Sequence, residues 1–475
     1  MAETPRPTYD ELAAENERLH SEIERLKRDV EKLKQLVEEI RRAGKRQAAP
    51  FSERQPKSAP RTPGRKSGED HGFHAHRAVP PRIDETYDAV LPKCCPCCGS
   101  AGELVFERTA AQYQTEIPRV EPIYRKFNVA VGHCSRCHRR VQGRHELQTS
   151  DALGAAASQM GSNAQSLATT LNKEYGLSHG KVIGVLSAFC HTTLTRGASA
   201  QIMLRAAQRC GQAYRDIQIV VHQSAWCVPD ETGWRVGGRL RWLHVFVTGL
   251  ATLYLIRPSR GFDVATEALG ADYGGDLTHD GWAPYDQFVN AHHGQCNQHL
   301  LRRCDHILET ATRGAVNFPR QVKALLQEGF AVRDKRDAGD ISLAQATTKA
   351  KRLTERLTDI CGPKTYADNQ RFASFLNFHF GEVFNYLRRP GLDATNWRAE
   401  QSIRPAVVNR KVWGGNRTDH GADAQEILMS ILRTLHQHGR DALTFLSETM
   451  RAPPGRAPRL SFSTQSRTAR GGSGR

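Results

Sequence analysis

From Ile217 onward the apolar pattern takes on a period of two. Runs at 217–222, 225–234, 241–248 and 251–257 are rich in β-branched and aromatic residues, and Gly237-Gly238 and Gly249 interrupt them. That punctuation is the signature of antiparallel hairpins. A helical stretch at about 262–269 follows, then a short strand near 275–279 that ends at Asp280. From the 225–234 run onward the order is β-β-β-α-β, which predicts a mixed α/β sheet.

Acidic residues lie on the first and fourth strands of that order, the layout of the RNase H-like fold. Asp230 lies in Pro229-Asp230-Glu231-Thr232-Gly233-Trp234, and Asp280 in Thr278-His279-Asp280-Gly281-Trp282. A third acid, Glu400, lies in Thr395-Asn396-Trp397-Arg398-Ala399-Glu400-Gln401-Ser402-Ile403-Arg404-Pro405. Separations of 50 and 120 residues exclude local helical pairing, so only the fold can bring the three together. Phosphodiester cleavage and strand transfer develop charge on the attacking and leaving oxygens, and two divalent ions about 3.5–4 Å apart stabilise both. Hard cations take oxygen ligands and keep several waters, so a few carboxylates suffice. On this reading Asp230 bridges two Mg²⁺ (or Mn²⁺) ions, and Asp280 and Glu400 complete separate shells. Glu231 is turned to the other face of its strand by side-chain alternation.

The flanking chain predicts several modules. Residues 9–42 read as a leucine-zipper coiled coil: Leu12, Leu19, Leu26, Leu33 and Ile40 occupy one seam position, and Tyr9, Asn16, Ile23, Val30 and Val37 the other. β-Branched residues at a with Leu at d favour a two-stranded coil, and one Asn at a fixes register, so a homodimer or higher assembly is expected. Residues 43–85 are a flexible basic linker, low in apolar content; its His71, His74 and His76 read as a solvated tract rather than a metal site. Residues 86–150 form a zinc-ribbon-like module. Cys95 and Cys98 pair with Cys134 and Cys137, and 35 residues intervene; two such knuckles complete a tetrahedral Cys₄ site for structural Zn²⁺. Cys94/Cys97 is the competing first pair, Gly99 after Cys98 favours Cys95/Cys98, and a redox CxxC is the rival chemistry. Strand-like alternation is expected over 112–131. Residues 151–215 are helical; a helix to Glu174, a break at Tyr175-Gly176-Leu177 and an N-cap at Ser178 suit either a helix-turn-helix or a plain helical domain. Residues 216–445 make the catalytic domain, with a helical insertion at 281–395 whose amphipathic runs lie around 297–312, 321–333 and 343–357. Residues 446–475 are a disordered basic tail. The fold class is thus multidomain.

Charge narrows the partners. The chain has 475 residues and a formal charge of +17, of which residues 41–80 carry +7 and residues 451–475 carry +6, while residues 1–40 carry −4. Basic low-complexity segments gain from counterion release on a polyanion, and solubility is the alternative explanation. Membrane insertion is not expected: the longest apolar stretch, Leu243 to Ile256, has 14 residues and is interrupted by His244, Thr248 and Gly249. No secretory signal is visible, and the CxxC spacings favour a reduced, cytoplasmic compartment.

Taken with VPDETGW around Asp230 and HDGW around Asp280, the block TNWRAEQSIRP and the later RKVWGGNRTDHGA make the chain resemble the transposases of the insertion sequence 66 family, over nearly all of residues 9–440. The resemblance implies a bacterial, nucleoid-associated DDE enzyme that binds element ends and cuts and joins DNA strands. It carries the acidic triad onto Asp230, Asp280 and Glu400, and implies a Cys-rich zinc module, terminal-repeat and target DNA as partners, and accessory proteins encoded by the same element. Arg398, Arg404, Arg410, Lys411 and Arg417 surround the third motif, and Arg139 and Arg140 crowd the second knuckle; both sets suit phosphate contact. Arg302, Arg303, Lys349 and Lys351 read either as DNA contacts or, by default, as a solvated helix face. The family's Cys-x-x-His element survives as Cys296-Asn297-Gln298-His299, where His299 either touches the scissile phosphate or packs on a helix. Trp397, Gln401-Ser402 and His279 depart from the usual pattern without removing a carboxylate. Two other functions fit the same residues: a catalytically impaired DNA-binding derivative, and a metal-dependent nuclease that never joins strands.

Overall fold

The computed structural model describes residues 10, 15–27, 29–30, 33, 77–102, 104–453 and 455–462. Most of the expected linker, with His71, His74 and His76, and the end of the expected tail lie outside these residues, as do Tyr9, Leu12, Val37 and Ile40 of the heptad seam. The chain divides into two compact units, 1–116 and 117–475.

In the first unit residues 15–27 are helical. Ion pairs at i,i+3 line the helix (Arg18–Glu15 3.1 Å, Lys27–Glu24 2.8 Å). Leu19, Ile23, Leu26, Val30 and Leu33 of the seam are all exposed, Leu26 by 53%. An apolar stripe without a covering element is what a zipper half presents when seen alone.

In the second unit a short hairpin, β1 (Val131–His133) and β2 (Arg140–Gln142), precedes three helices: α1 (Ser162–Lys173), α2 (His179–Cys190) and α3 (Arg196–His222). Ser178 caps α2 by accepting from Lys181 N. Two expectations fail here. Residues 217–222 are not a strand but the last turns of α3, because Cys210, Ala213, Tyr214, Ile217 and Val221 form a helical stripe buried in the core. Residues 112–130 contain no strand among those described. Their alternating apolar side chains, including Tyr113, Ile117 and Ile123, stay exposed, so no face is buried to drive pairing.

The central sheet has five strands: β3 (Trp226–Val236), β4 (Arg239–Val247), β5 (Thr252–Arg257), β6 (Asp276–His279) and β7 (His292–Gln295), in spatial order β5-β4-β3-β6-β7. The first three form an antiparallel meander, while β6 and β7 add in parallel. Helix α4 (Phe262–Leu269) makes the crossover to β6.

Alternation sorts the side chains. Cys227, Phe246, Leu253 and Leu255 join the core formed with α3 and α4, whereas Val228, Trp234, Val245, Tyr254 and Ile256 face Ala399, Ile403 and Ala406. The last three belong to α9 (Trp397–Trp413). Between β7 and α9, the helices α5 (Asn297–Thr310), α6 (Asn317–Asp337), α7 (Leu343–Ile360) and α8 (Ala367–Phe378) enclose a separate apolar core. Next come α10 (Asp419–Gln437), which packs on α3 and β5, and α11 (Ala442–Arg451). The expected disordered tail therefore does not begin at 446, since Leu446 and Met450 of α11 and Leu460 beyond it are buried in the core. No described helix is long and apolar enough to cross a membrane.

Candidate active site

Backbone register brings the first two acids together. Cys227 of β3 is paired with Leu277 of β6 in a parallel ladder. Three residues further along lie Asp230, midway along β3, and Asp280, just past the end of β6, near enough for the Asp280 charge to act on Asp230. Asp230 shares the parity of Val228, so its side chain stands on the sheet face that α9 covers. Glu400 sits in the first turn of that helix.

The electrostatics reflect this convergence. Burial and the charges of Glu231, Asp280 and Glu400 push the Asp230 carboxyl up to about 8. Its one recorded hydrogen bond is from Glu231 N to Oδ1, 2.9 Å. Asp280 Oδ1 accepts from Trp282 N at 3.1 Å. A buried carboxylate crowded by three other acids and paired with no cation among the described residues is the donor set that a divalent ion satisfies.

The insertion helps build the site. Cys296, ahead of α5, holds Asn396, the N-cap of α9: Cys296 Sγ donates to Asn396 Oδ1 at 3.1 Å, and Asn396 N donates back to sulfur at 3.3 Å. Asn297 N donates to Ala394 O at 3.0 Å. The Cys-x-x-His element therefore fixes the start of the helix that carries Glu400. His299 Nε2 lies 3.8 Å from Glu400 Oε1, and burial lowers its pKa while the Asp280 charge raises it. Its Nδ1 is buried without a partner. Arg302, one turn on, donates from Nη1 to Glu400 Oε1 at 3.2 Å and is half exposed. Its place at i+3 from His299 was the available sequence signal.

The expected basic residues divide. Arg410 donates to Thr232 Oγ1 at 3.2 Å and to Gly233 O, latching α9 onto β3. Arg398 pairs with Asp393 and stacks on Trp397, 4.7 Å from the ring centroid. Arg404, Lys411 and Arg417 are exposed, as are Arg139 and Arg140 beside the second knuckle. The Gly414-Gly415-Asn416-Arg417 turn docks on the β3–β4 hairpin: Asn416 N donates to Arg235 O at 2.9 Å, and Trp234 Nε1 donates to Asn416 Oδ1 at 2.7 Å. Gly415 has φ +108°, and a Cβ there would meet Arg235 O at 2.4 Å.

Behind Asp280, on the other sheet face, Glu231 is almost fully buried. Arg260 donates to Glu231 Oε1 from Nε at 2.8 Å and from Nη2, and Tyr285 donates to Oε2 at 2.8 Å. Nearby, ligand-type atoms of His279, Asp286 and His293 lie within 4.8 Å of one another. Gly281 N lies 3.2 Å from His279 Nδ1, His279 Nε2 lies 3.1 Å from His293 Nδ1, and His293 Nε2 lies 2.9 Å from Phe288 O. Donation in that order satisfies both rings as neutral imidazoles, and burial pushes His279 down to about 3. Only Asp286 Oδ1 is left without a hydrogen bond.

The two Cys-x-x-Cys segments fall in different units, yet each closes the same local turn. Cys95 N donates to Ser100 O and Gly99 N to Cys95 O; Cys134 N donates to Arg139 O and His138 N to Cys134 O, all at 2.8–2.9 Å. The residue after the second cysteine is left-handed in both, Gly99 at φ +77° and His138 at φ +56°. Cys98 is held down to about 7 by hydrogen bonding from Ser100, and Cys134 is lowered by backbone N–H groups of Cys137 and Arg136.

No curated protein matches the chain. A family model described as Transposase IS66 family matches residues 158–424, more than half of the sequence. That span contains all three acids, the Cys-x-x-His element and the Gly-Gly-Asn-Arg turn, and by it the chain belongs to the IS66 family of transposases.

Proposed function

We propose that the protein is a DDE transposase that binds the ends of its element and cuts and joins DNA strands at Asp230, Asp280 and Glu400. What supports the reading is that Asp230 midway along β3, Asp280 just past β6 and Glu400 in the first turn of α9, 50 and 120 residues apart in sequence, are near enough for the charges of the other two to act on Asp230. The strand order with its parallel β3–β6–β7 edge supports an RNase H-like fold for this domain. Two Mg²⁺ or Mn²⁺ ions held there supply Lewis-acid stabilisation of the attacking and leaving oxygens. Asp230, Asp280 and Glu400 would be the residues that hold these ions. Arg302 presents a partly exposed cationic edge beside Glu400 and His299, suited to the negative scissile phosphate. Arg404, Lys411 and Arg417 lie exposed beyond it for the DNA backbone, while Arg410 and Arg398 act chiefly to hold α9 in place.

Around this centre, the matched turns at Cys95/Cys98 and Cys134/Cys137 support a zinc ribbon in that register, since a left-handed residue after the second ligand lets backbone N–H groups face thiolate. The exposed heptad stripe supports dimerisation through residues 9–42, and DNA ends together with element-encoded accessory proteins complete the set of partners.

The test is incubation of the protein with Mg²⁺ and DNA bearing the element's terminal repeats, with wild type and Glu400→Gln. Nicking and joined products from wild type alone support the reading. Nicking without joining identifies a nuclease, and end binding with no cleavage identifies a regulatory derivative.

A further inference from the structure

Arg260 lies in the short connection between β5 and α4, held from several sides. His244 Nε2, buried on β4 directly opposite Glu231, lies 3.0 Å from Ser259 O. Ser259 Oγ accepts from Gly261 N and donates to Asp263 Oδ1, both at 2.8 Å. The guanidinium is sandwiched between two indoles, 3.8 Å from the Trp282 ring centroid and 4.9 Å from that of Trp242. Its Nε and Nη2 converge on Glu231, whose side chain is 2% exposed, and Trp282 Nε1 returns a hydrogen bond to Arg260 O at 3.2 Å.

Each terminus of this array ends on a catalytic acid. The backbone N–H of Glu231 donates to Asp230 Oδ1, and the backbone N–H of Trp282 donates to Asp280 Oδ1. Glu231 and Trp282 are therefore the two residues that orient the acids, and Arg260 touches both. We propose that Arg260 is a positioning residue that fixes the spacing of Asp230 and Asp280 from the opposite face of the sheet, so that the pair is set for its ions before DNA arrives. This rests on the metal-site reading above. A lysine cannot replace it: an ammonium has neither the planar fork for Glu231 nor the flat face for two indoles. Glu231 in turn has a reason to be an acid so close to the centre, because a buried carboxylate is tolerable only with its cation.

The experiment measures Mn²⁺ affinity of the zinc-loaded full-length protein by the paramagnetic resonance of free Mn²⁺, alongside melting temperature, end-DNA binding and the Mg²⁺ dependence of cleavage. Asp280→Ala defines the binding that belongs to the site. Arg260→Lys is expected to lower that Mn²⁺ affinity by about 10–100-fold, the usual loss when a residue supporting a ligand is changed. The half-saturating Mg²⁺ should rise in step, with end binding unchanged and cleavage recovered at high Mn²⁺. Trp282→Phe keeps an aromatic face but loses the five-membered ring with its N–H, and should shift Mn²⁺ affinity the same way by a few fold; it carries the test if Arg260→Lys fails to fold. Wild-type Mn²⁺ affinity in the folded variants, while Asp280→Ala abolishes it, overturns the positioning role alone. Binding that Asp280→Ala leaves intact overturns the metal-site reading and this inference with it.

Discussion

Asp230 shows how a residue's meaning depends on its neighbours. By itself it is an acid beside a turn; with Glu231, Asp280 and Glu400 around it, its carboxyl is pushed up to about 8. Removing one member of such a centre should abolish cleavage without harming the fold. Asp280→Ala is expected to lose at least the 10²–10³-fold that one preorganised electrostatic group typically supplies, with end binding retained in a gel-shift assay; a variant that still cuts removes this acid from the centre. Lys173 makes a different prediction. It is buried against Gln425 Oε1 (2.6 Å), and desolvation lowers it to about 7. In the unfolded chain its pKa is about 10.4. Between these values the unfolded state holds a proton that the folded state lacks, so stability rises with pH from about 7 to about 10. Melting scans should show that rise in wild type and a flatter profile in Lys173→Met; identical profiles would show that Lys173 stays charged in the fold. The three acids were legible in the sequence because each sits in a distinctive motif. Arg260 was not, since a lone arginine in a Pro-Ser-Arg-Gly turn gives no sign that two tryptophans distant in sequence close around it.

At the scale of elements, the sequence was most readable where period and punctuation agree. The Gly237-Gly238 turn, the meander and the α4 crossover follow their pattern, and Ser178 caps α2 as its position implies. Residues 217–222 misled because β-branched residues suit a strand locally, while Ile217 and Val221 lie one turn apart on a stripe already established by Cys210, Ala213 and Tyr214. Tertiary burial outweighs local propensity there. The alternation at 112–131 misled for the opposite reason: the pattern is present, but no neighbour covers it. Two predictions belong here. Gly415→Ala would place a Cβ against Arg235 O in a left-handed conformation and should lower stability by about 1–3 kcal/mol, read as a fall in melting temperature; an unchanged melt would show that the turn is not clamped to the hairpin. Serine at both Cys134 and Cys137 should release one equivalent of zinc, measured by a colorimetric chelator, and weaken end binding; unchanged zinc content would exclude the ribbon.

For the molecule as a whole, a sheet with one acid midway along β3 and another just past β6 is completed by an insertion that returns to pin α9 through Cys296 and Asn396. That long-range closure was visible only as a Cys-x-x-His spacing, because a contact across 100 residues has no local signature. The proposed zipper at residues 9–42 carries a prediction about assembly. Sedimentation should give about twice the 53.0 kDa chain mass, and deletion of residues 9–42 should leave a monomer; a dimer that survives the deletion would place the interface elsewhere. The most direct test of the central claim is anomalous scattering from crystals grown with Mn²⁺ and terminal-repeat DNA. The expected result is two peaks about 3.5–4 Å apart, both touching Asp230, one shared with Asp280 and the other with Glu400. Peaks at His279, Asp286 and His293 instead, or none among the three acids, would contradict it.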